Sequence, residues 1–252
     1  MNDAPLILRD DAGGIATLTL NRPEKRNAIN RDLFRQFRGH IRDIESVGDA
    51  IGLVVITGAG GHFCAGHDLK SPPHADALGW LRQEMLILET LTKLHQPVIA
   101  KVRGSCYTGG LEFALSADFI ICGASARFAD THGKWGLVPG WGMSQRLLRR
   151  VGQAKALEMM LTCQAYTGAE AAAMGLANFC VADDQLDAKV AELAALILGN
   201  SRHSNAENKR LIYETDGFAL HTGLSHELMR NAGFDPAMRQ KGEPIAAAKK
   251  PG

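Results

Sequence analysis

Two apolar, β-branched runs each end in a glycine turn, and this repeated arrangement points the chain toward a layered α/β fold. Leu53-Val54-Val55-Ile56-Thr57 has the unbroken apolar character of a strand buried in a parallel sheet. It leads through Gly58-Ala59-Gly60-Gly61 to Phe63-Cys64-Ala65-Gly66-His67-Asp68-Leu69. Pro97-Val98-Ile99-Ala100-Lys101-Val102 reads the same way and leads to Gly104-Ser105-Cys106-Tyr107-Thr108-Gly109-Gly110-Leu111-Glu112, whose apolar continuation reads as a helix. Each turn therefore sits where a strand ends, the place at which open α/β sheets hold their ligands.

The flanking segments agree. Leu6-Ile7-Leu8-Arg9 and Ile15-Ala16-Thr17-Leu18-Thr19-Leu20 surround Asp10-Asp11-Ala12-Gly13-Gly14, which predicts an opening β-hairpin. Leu33, Phe34, Phe37, Ile41 and Ile44 recur at helical spacing, predicting an amphipathic helix over 31–47 with Asn30 as its cap. A loop over 70–79, with Pro72-Pro73, is expected to be the mobile segment, followed by a helix over 77–95. Phe119-Ile120-Ile121-Cys122 reads as the next strand, and the βαβ alternation implies a layered core. Beyond Gly142 strand signals nearly vanish and helices are expected over 144–151, 154–161, 169–174, 186–198, 204–214 and 218–231. With no Ser/Gly linker before it, this region reads as a cap or oligomerisation element, and 241–252 as a frayed end.

At 252 residues the chain is long enough for one large core without a disulfide or metal. Its 28 basic and 27 acidic side chains leave no excess of positive charge of the kind nucleic acid binding needs. The five cysteines are odd in number, sit mostly in apolar runs and lack Cys-x-x-Cys spacing, so they read as reduced thiols of a cytoplasmic protein. The first residues show no basic region followed by an apolar stretch, and no run approaches the roughly 18 apolar residues of a membrane span. Neither export nor a membrane is expected, and no metal site is read from the sequence.

The turns carry the chemistry. A glycine at Gly66 lets the backbone come close to a ligand and aim the amide of His67 outward. Gly109 stands at a helix start, where amides are unpaired and the helix dipole is positive. Two such amides from two loops make an oxyanion hole, and one such donor is typically worth about 3 kcal/mol of barrier. Glu112 follows Gly109 by almost one helical turn and projects on the same side, placed as a general acid or base for a carbonyl whose α-carbon gains or loses a proton. Taken singly, Gly66 and Gly109 are ordinary turn glycines and Glu112 an ordinary structural carboxylate; the pairing favours function. Cys64 and Cys106 read as small buried hydrophobes, not nucleophiles.

Asn21-Arg22-Pro23-Glu24-Lys25-Arg26-Asn27-Ala28, the first turn, Gly109-Gly110-Leu111-Glu112 and Gly136-Leu137-Val138-Pro139-Gly140 stand in an order and spacing that resembles the crotonase, or enoyl-CoA hydratase/isomerase, superfamily over residues 6–230. The resemblance implies an α/β fold, with a ββα spiral core over 1–195 and a helical trimerisation region over 196–252. It implies an enoyl-CoA hydratase acting on acyl-CoA thioesters, with coenzyme A as part of the substrate, no separate cofactor, and assembly as a homotrimer or a hexamer of two trimers. The family's oxyanion amides map to His67 and Gly109. Lys25 and Arg26, with Ala65, Leu69 and Lys70, would hold the CoA moiety.

Hydratases of this family use two glutamates around one water; the first maps to Glu112 and the second falls at His132. Imidazole titrates near neutrality and can do the same proton work. Catalysis, substrate contact and structural hydrogen bonding all stay open for His132, and Asp130 either orients it or caps a turn. A histidine here also resembles crotonase-fold C–C bond hydrolases, although those place an acid where this chain has Trp141. Isomerase, decarboxylase and non-catalytic acyl-CoA-binding readings share the same oxyanion hole.

Overall fold

The computed structural model describes residues 5–70 and 76–235. It opens with the expected hairpin, β1 (Ile7–Ala12) against β2 (Ile15–Leu20), but the strands run further than expected and leave only Gly13-Gly14 in the turn. Both glycines have positive φ, 59° and 80°, so two residues suffice to reverse the chain in the sense that matches the strand twist. α1 (Arg31–Ser46) begins at Asn30, whose Oδ1 accepts from the Leu33 amide at 2.9 Å, and buries the five apolar residues named above.

β3 (Leu53–Gly58) and α2 (Ala77–Thr92) follow, then β4 (Val98–Val102), β5 (Ser105–Tyr107) and α3 (Gly109–Leu115). β6 (Phe119–Gly123), β7 (Arg127–Ala129) and α4 (Met143–Val151) repeat that order. The long strands join one six-stranded sheet, β1-β2-β3-β4-β6 plus a last strand, while the short ones form a second sheet. Each unit is thus a long strand, a short strand and a helix, with the long and the short strands in separate sheets. Cys64 takes the place of a short strand in the first unit, bridging to Cys106.

α5 (Gln153–Thr162), β8 (Tyr166–Thr167), α6 (Gly168–Ala173), β9 (Phe179–Val181), α7 (Leu186–Leu198), α8 (Arg202–Glu214) and α9 (Leu220–Arg230) complete the described chain. β9 is a correction to the expectation that strands end near Gly142: it pairs parallel with β6 and closes the large sheet. Two or three residues are too few to show a period of two, which is also why β5, β7 and β8 leave no clear mark in the sequence. The helices otherwise lie within a few residues of their expected bounds. Part of the 70–79 loop and all of 241–252 lie outside the described residues.

The sheet is covered on both faces. Val54, Ile56, Val98 and Ala100 face the main core with Phe34, Phe37 and Phe113. Leu53, Val55, Ile99 and Ile121 face α7 through Leu186, Val190, Ala194 and Ile197. Full burial of such side chains contributes about 1.5–3 kcal/mol each. α8 is tied to this body by a buried ammonium, Lys209 Nζ, which donates to Asp118 at 2.8 Å and to the Gln96 carbonyl at 2.9 Å.

Candidate active site

The first turn is sewn to a strap over residues 22–29. Ala65 donates to the Arg26 carbonyl (2.9 Å), Ile29 to the Gly66 carbonyl (2.8 Å), and Asp68 to the Ile29 carbonyl (2.8 Å). Arg22 closes the strap through an ion pair with Asp68 at 2.9 Å, both side chains mostly buried. Asn27, fully buried at φ 56°, accepts from the Arg22 amide and donates to the carbonyls of Ala59 and His62, clamping the glycine turn before it. The strap's role explains Asn27, whose left-handed backbone asparagine tolerates better than most residues.

Gly66 has φ 100°, and a Cβ there would sit 3.0 Å from the Tyr107 carbonyl and 3.2 Å from the Gly109 nitrogen. The two turns are therefore in contact, and only glycine lets them meet. The second is held by Thr108, a non-glycine at φ 52°, ψ −115°. Its amide donates to the Ala129 carbonyl (2.8 Å) and its Oγ1 lies 2.5 Å from that of Thr131. Neither the His67 nor the Gly109 amide donates to an acceptor among the described residues. Two backbone donors thus stand side by side at the cavity wall.

Glu112 is 1% exposed. Its Oε1 accepts from the amides of Trp141 (2.8 Å) and Met143 (3.0 Å), which pins the carboxyl and leaves Oε2 on the side of His132, 3.8 Å from Nε2. Burial raises its proton affinity above the ordinary carboxylate range, opposed by the Met143 amide, the imidazole and the Trp141 amide. Asp130 does both things open to it: its Oδ1 accepts from the His132 amide at 3.0 Å and meets the ring Nδ1 at 2.6 Å. With Nδ1 held against the Asp130 carboxyl, the ring turns Nε2 toward Glu112.

These groups line one cavity of about 750 Å³. Lys25, Ala65, Leu69 and Lys70 lie along it with His67, Gly109, Glu112 and His132, while Leu81, Leu137, Val138 and Trp141 supply apolar wall. Arg26 is the exception among the expected residues: its side chain is exposed and absent from the lining, and its part is the carbonyl that holds Ala65. Burial pushes the Cys64 thiol up to about 12 and raises Cys106 as well, so neither is a nucleophile near neutrality. Asn27, Thr108 and the Trp141 indole escape sequence reading; only Thr108, next to two glycines, carries a faint signal of strained backbone.

The model of the family described as enoyl-CoA hydratase/isomerase matches residues 10–242. A probable peroxisomal enoyl-CoA hydratase of Arabidopsis thaliana is 31% identical over 216 residues, 86% of this chain and 80% of that protein. The crystal structure of an enoyl-CoA hydratase from Bacillus anthracis superposes with a TM-score of 0.85 at 30% identity, covering 89% of each chain. A putative enoyl-CoA hydratase from Thermobifida fusca, solved in complex with CoA, superposes with a TM-score of 0.79 at 30% identity over 89% of this chain and 90% of that one.

Proposed function

Because the chain belongs to the enoyl-CoA hydratase/isomerase family and has its crotonase fold, we propose that it adds water across the double bond of an α,β-unsaturated acyl-CoA thioester. The observation that carries this is the meeting, at one cavity wall, of two undonated amides with Glu112 Oε2 and His132 Nε2 3.8 Å apart. That separation is too long for a direct hydrogen bond and lets both groups reach one water. His132 Nε2 takes a proton from that water as its oxygen bonds to Cβ, and the electron pair of the double bond moves through Cα to the thioester oxygen. The amides of His67 and Gly109 hold the resulting enolate. A proton delivered from Glu112 to Cα completes the addition, and the proton held by His132 passes to Glu112 to restore both groups.

Lys25 and Lys70 at the cavity mouth supply positive charge for the CoA phosphates, and the reaction as written calls on no separate cofactor. The proposed assembly is a homotrimer or a pair of trimers, supported by the exposed stripe Leu220, Leu224 and Leu228 on α9. A cytoplasmic location is supported by five free cysteines. Among the described residues no helix is long and apolar enough to cross a membrane.

Loss of the conjugated enoyl absorbance of crotonyl-CoA and longer enoyl-CoAs, with gain of one water by mass, is the expected result. An unchanged absorbance across that series overturns the hydratase reading. The Asp130–His132 pair favours one second reading, a C–C bond hydrolase, which would instead cleave its substrate into two pieces.

A further inference from the structure

A third buried carboxyl, besides Glu112 and Asp130, lies one side chain away from the site, and the proposed reaction does not use it. Glu84, on α2, is 6% exposed, and its Oε2 accepts from the Trp141 indole Nε1 at 3.1 Å. Trp141 is the link between this carboxyl and Glu112. Its backbone amide donates to Glu112, its ring lies so close to Gly109 that a Cβ there would collide with it, and the ring centroid is 5.9 Å from that of His67. The residue that pins Glu112 therefore also walls the oxyanion turn, and Glu84 is the acceptor for its indole N–H.

Holding a carboxyl here is unfavourable: burial pushes Glu84 up to about 7, against the pull of the indole N–H and of Arg31 on α1. Arg31 lies over the Trp80 ring at 4.3 Å, and Arg146, on the Trp141 side, is engaged by Glu89 and the Trp141 carbonyl. Glu112 stands beyond the indole. An apolar side chain of similar size would fill the same space without that cost.

We propose that Glu84 is a positioning residue of this site: by holding the Trp141 indole it keeps the Trp141 amide on Glu112 and the aromatic wall against Gly109. The proposal rests on reading Glu112 as the proton-transfer group. Full-length Glu84→Leu, Glu84→Gln, Trp141→Phe and the Glu84→Leu/Trp141→Phe double variant test it. Glu84→Leu is expected to lower kcat for an enoyl-CoA about tenfold with KM changed less than about twofold, because misplacement costs rate more than affinity. Glu84→Gln, whose amide oxygen still accepts from the indole, stays within about twofold of wild type. Trp141→Phe removes the N–H and should match Glu84→Leu, and the double variant should be no slower than either. Additive losses in the double variant, a Glu84→Gln as slow as Glu84→Leu, or a loss carried by KM overturns the proposal.

The carbonyl stretch of bound butyryl-CoA, read by isotope-edited infrared spectroscopy, needs no turnover. It should fall below its solution value in wild type and Glu84→Gln and move back toward it in Glu84→Leu and Trp141→Phe. If wild type polarises the carbonyl yet hydrates no enoyl-CoA, the hydratase reading fails, and the band alone decides for or against Glu84: an unshifted band in Glu84→Leu refutes its role.

Discussion

The turns around Glu112 and α9, the last of the described helices, distribute polarity in opposite ways. Glu112 and Asp130 are each 1% exposed, and each is engaged by backbone amides of its own chain. α9 buries no residue, and Leu220, Leu224 and Leu228 stand 78%, 56% and 80% exposed along one stripe. It is held mainly by polar pins, His226 to Glu214 at 2.9 Å and Arg210 to the Arg230 carbonyl at 2.8 Å. The contrast is that the buried carboxyls of the site find their hydrogen-bond partners within one copy of the chain, whereas the apolar stripe on α9 stands exposed.

The largest expected effect strikes the first of these regions. Glu112→Gln keeps the amide contacts at Oε1 but cannot exchange a proton, so hydration should fall by about 10³-fold while acyl-CoA affinity, measured by calorimetry, is retained. A variant that hydrates normally would show that the buried carboxyl is scaffold. Gly109→Ala sharpens the same point from the side of the wall: the new Cβ meets the Trp141 ring, and displacing it should cost about 10²-fold in kcat/KM. An unaffected rate would mean that the indole does not border the reacting thioester.

The comparison is tested from the other side by Leu220→Ser/Leu224→Ser/Leu228→Ser. Sedimentation should report a smaller particle, with the circular dichroism of the core kept. Should the mass stay the same, the stripe is not the surface that joins copies. The smallest effect concerns what burial of charge does to stability. Glu84 binds its proton more tightly folded (about 7) than at its ordinary 4.5, so the folded state loses stability as pH rises between these values and keeps that penalty above them. Glu84→Gln removes it and should raise unfolding free energy relative to wild type at pH 8 by on the order of 1 kcal/mol, with the gain fading toward pH 4.5. A gain independent of pH would assign the effect to packing.

What could be read from the chain alone divides along physical lines. Long strands and α1 announce themselves because burial on one or both faces imposes a pattern over six to sixteen residues. Gly109 and Glu112 are legible together because they lie three residues apart, Gly66 because its turn follows a buried strand, and the position of His132 through the resemblance, as an offset from the Gly136 turn. β5, β7 and β9 are three residues each and lie below the reach of periodicity. Asn27 clamps carbonyls 32 and 35 residues away, and Trp141 reaches a carboxyl 57 residues away. Contacts of that range exist only once the fold has formed, which is why Glu84 looks like nothing in particular in the sequence.

Thr108 has a further implication. A β-branched residue at φ 52° is held against its own preference, at a cost on the order of 1–3 kcal/mol, by bonds to Ala129 and Thr131. The enzyme thus stores tension at the hinge that presents Gly109, like a sprung latch. Glycine there would relieve the tension and make the molecule hardier while loosening the placement of the Gly109 amide. Heat resistance and speed would pull this position in opposite directions, and selection for robustness alone would dull the catalyst here first.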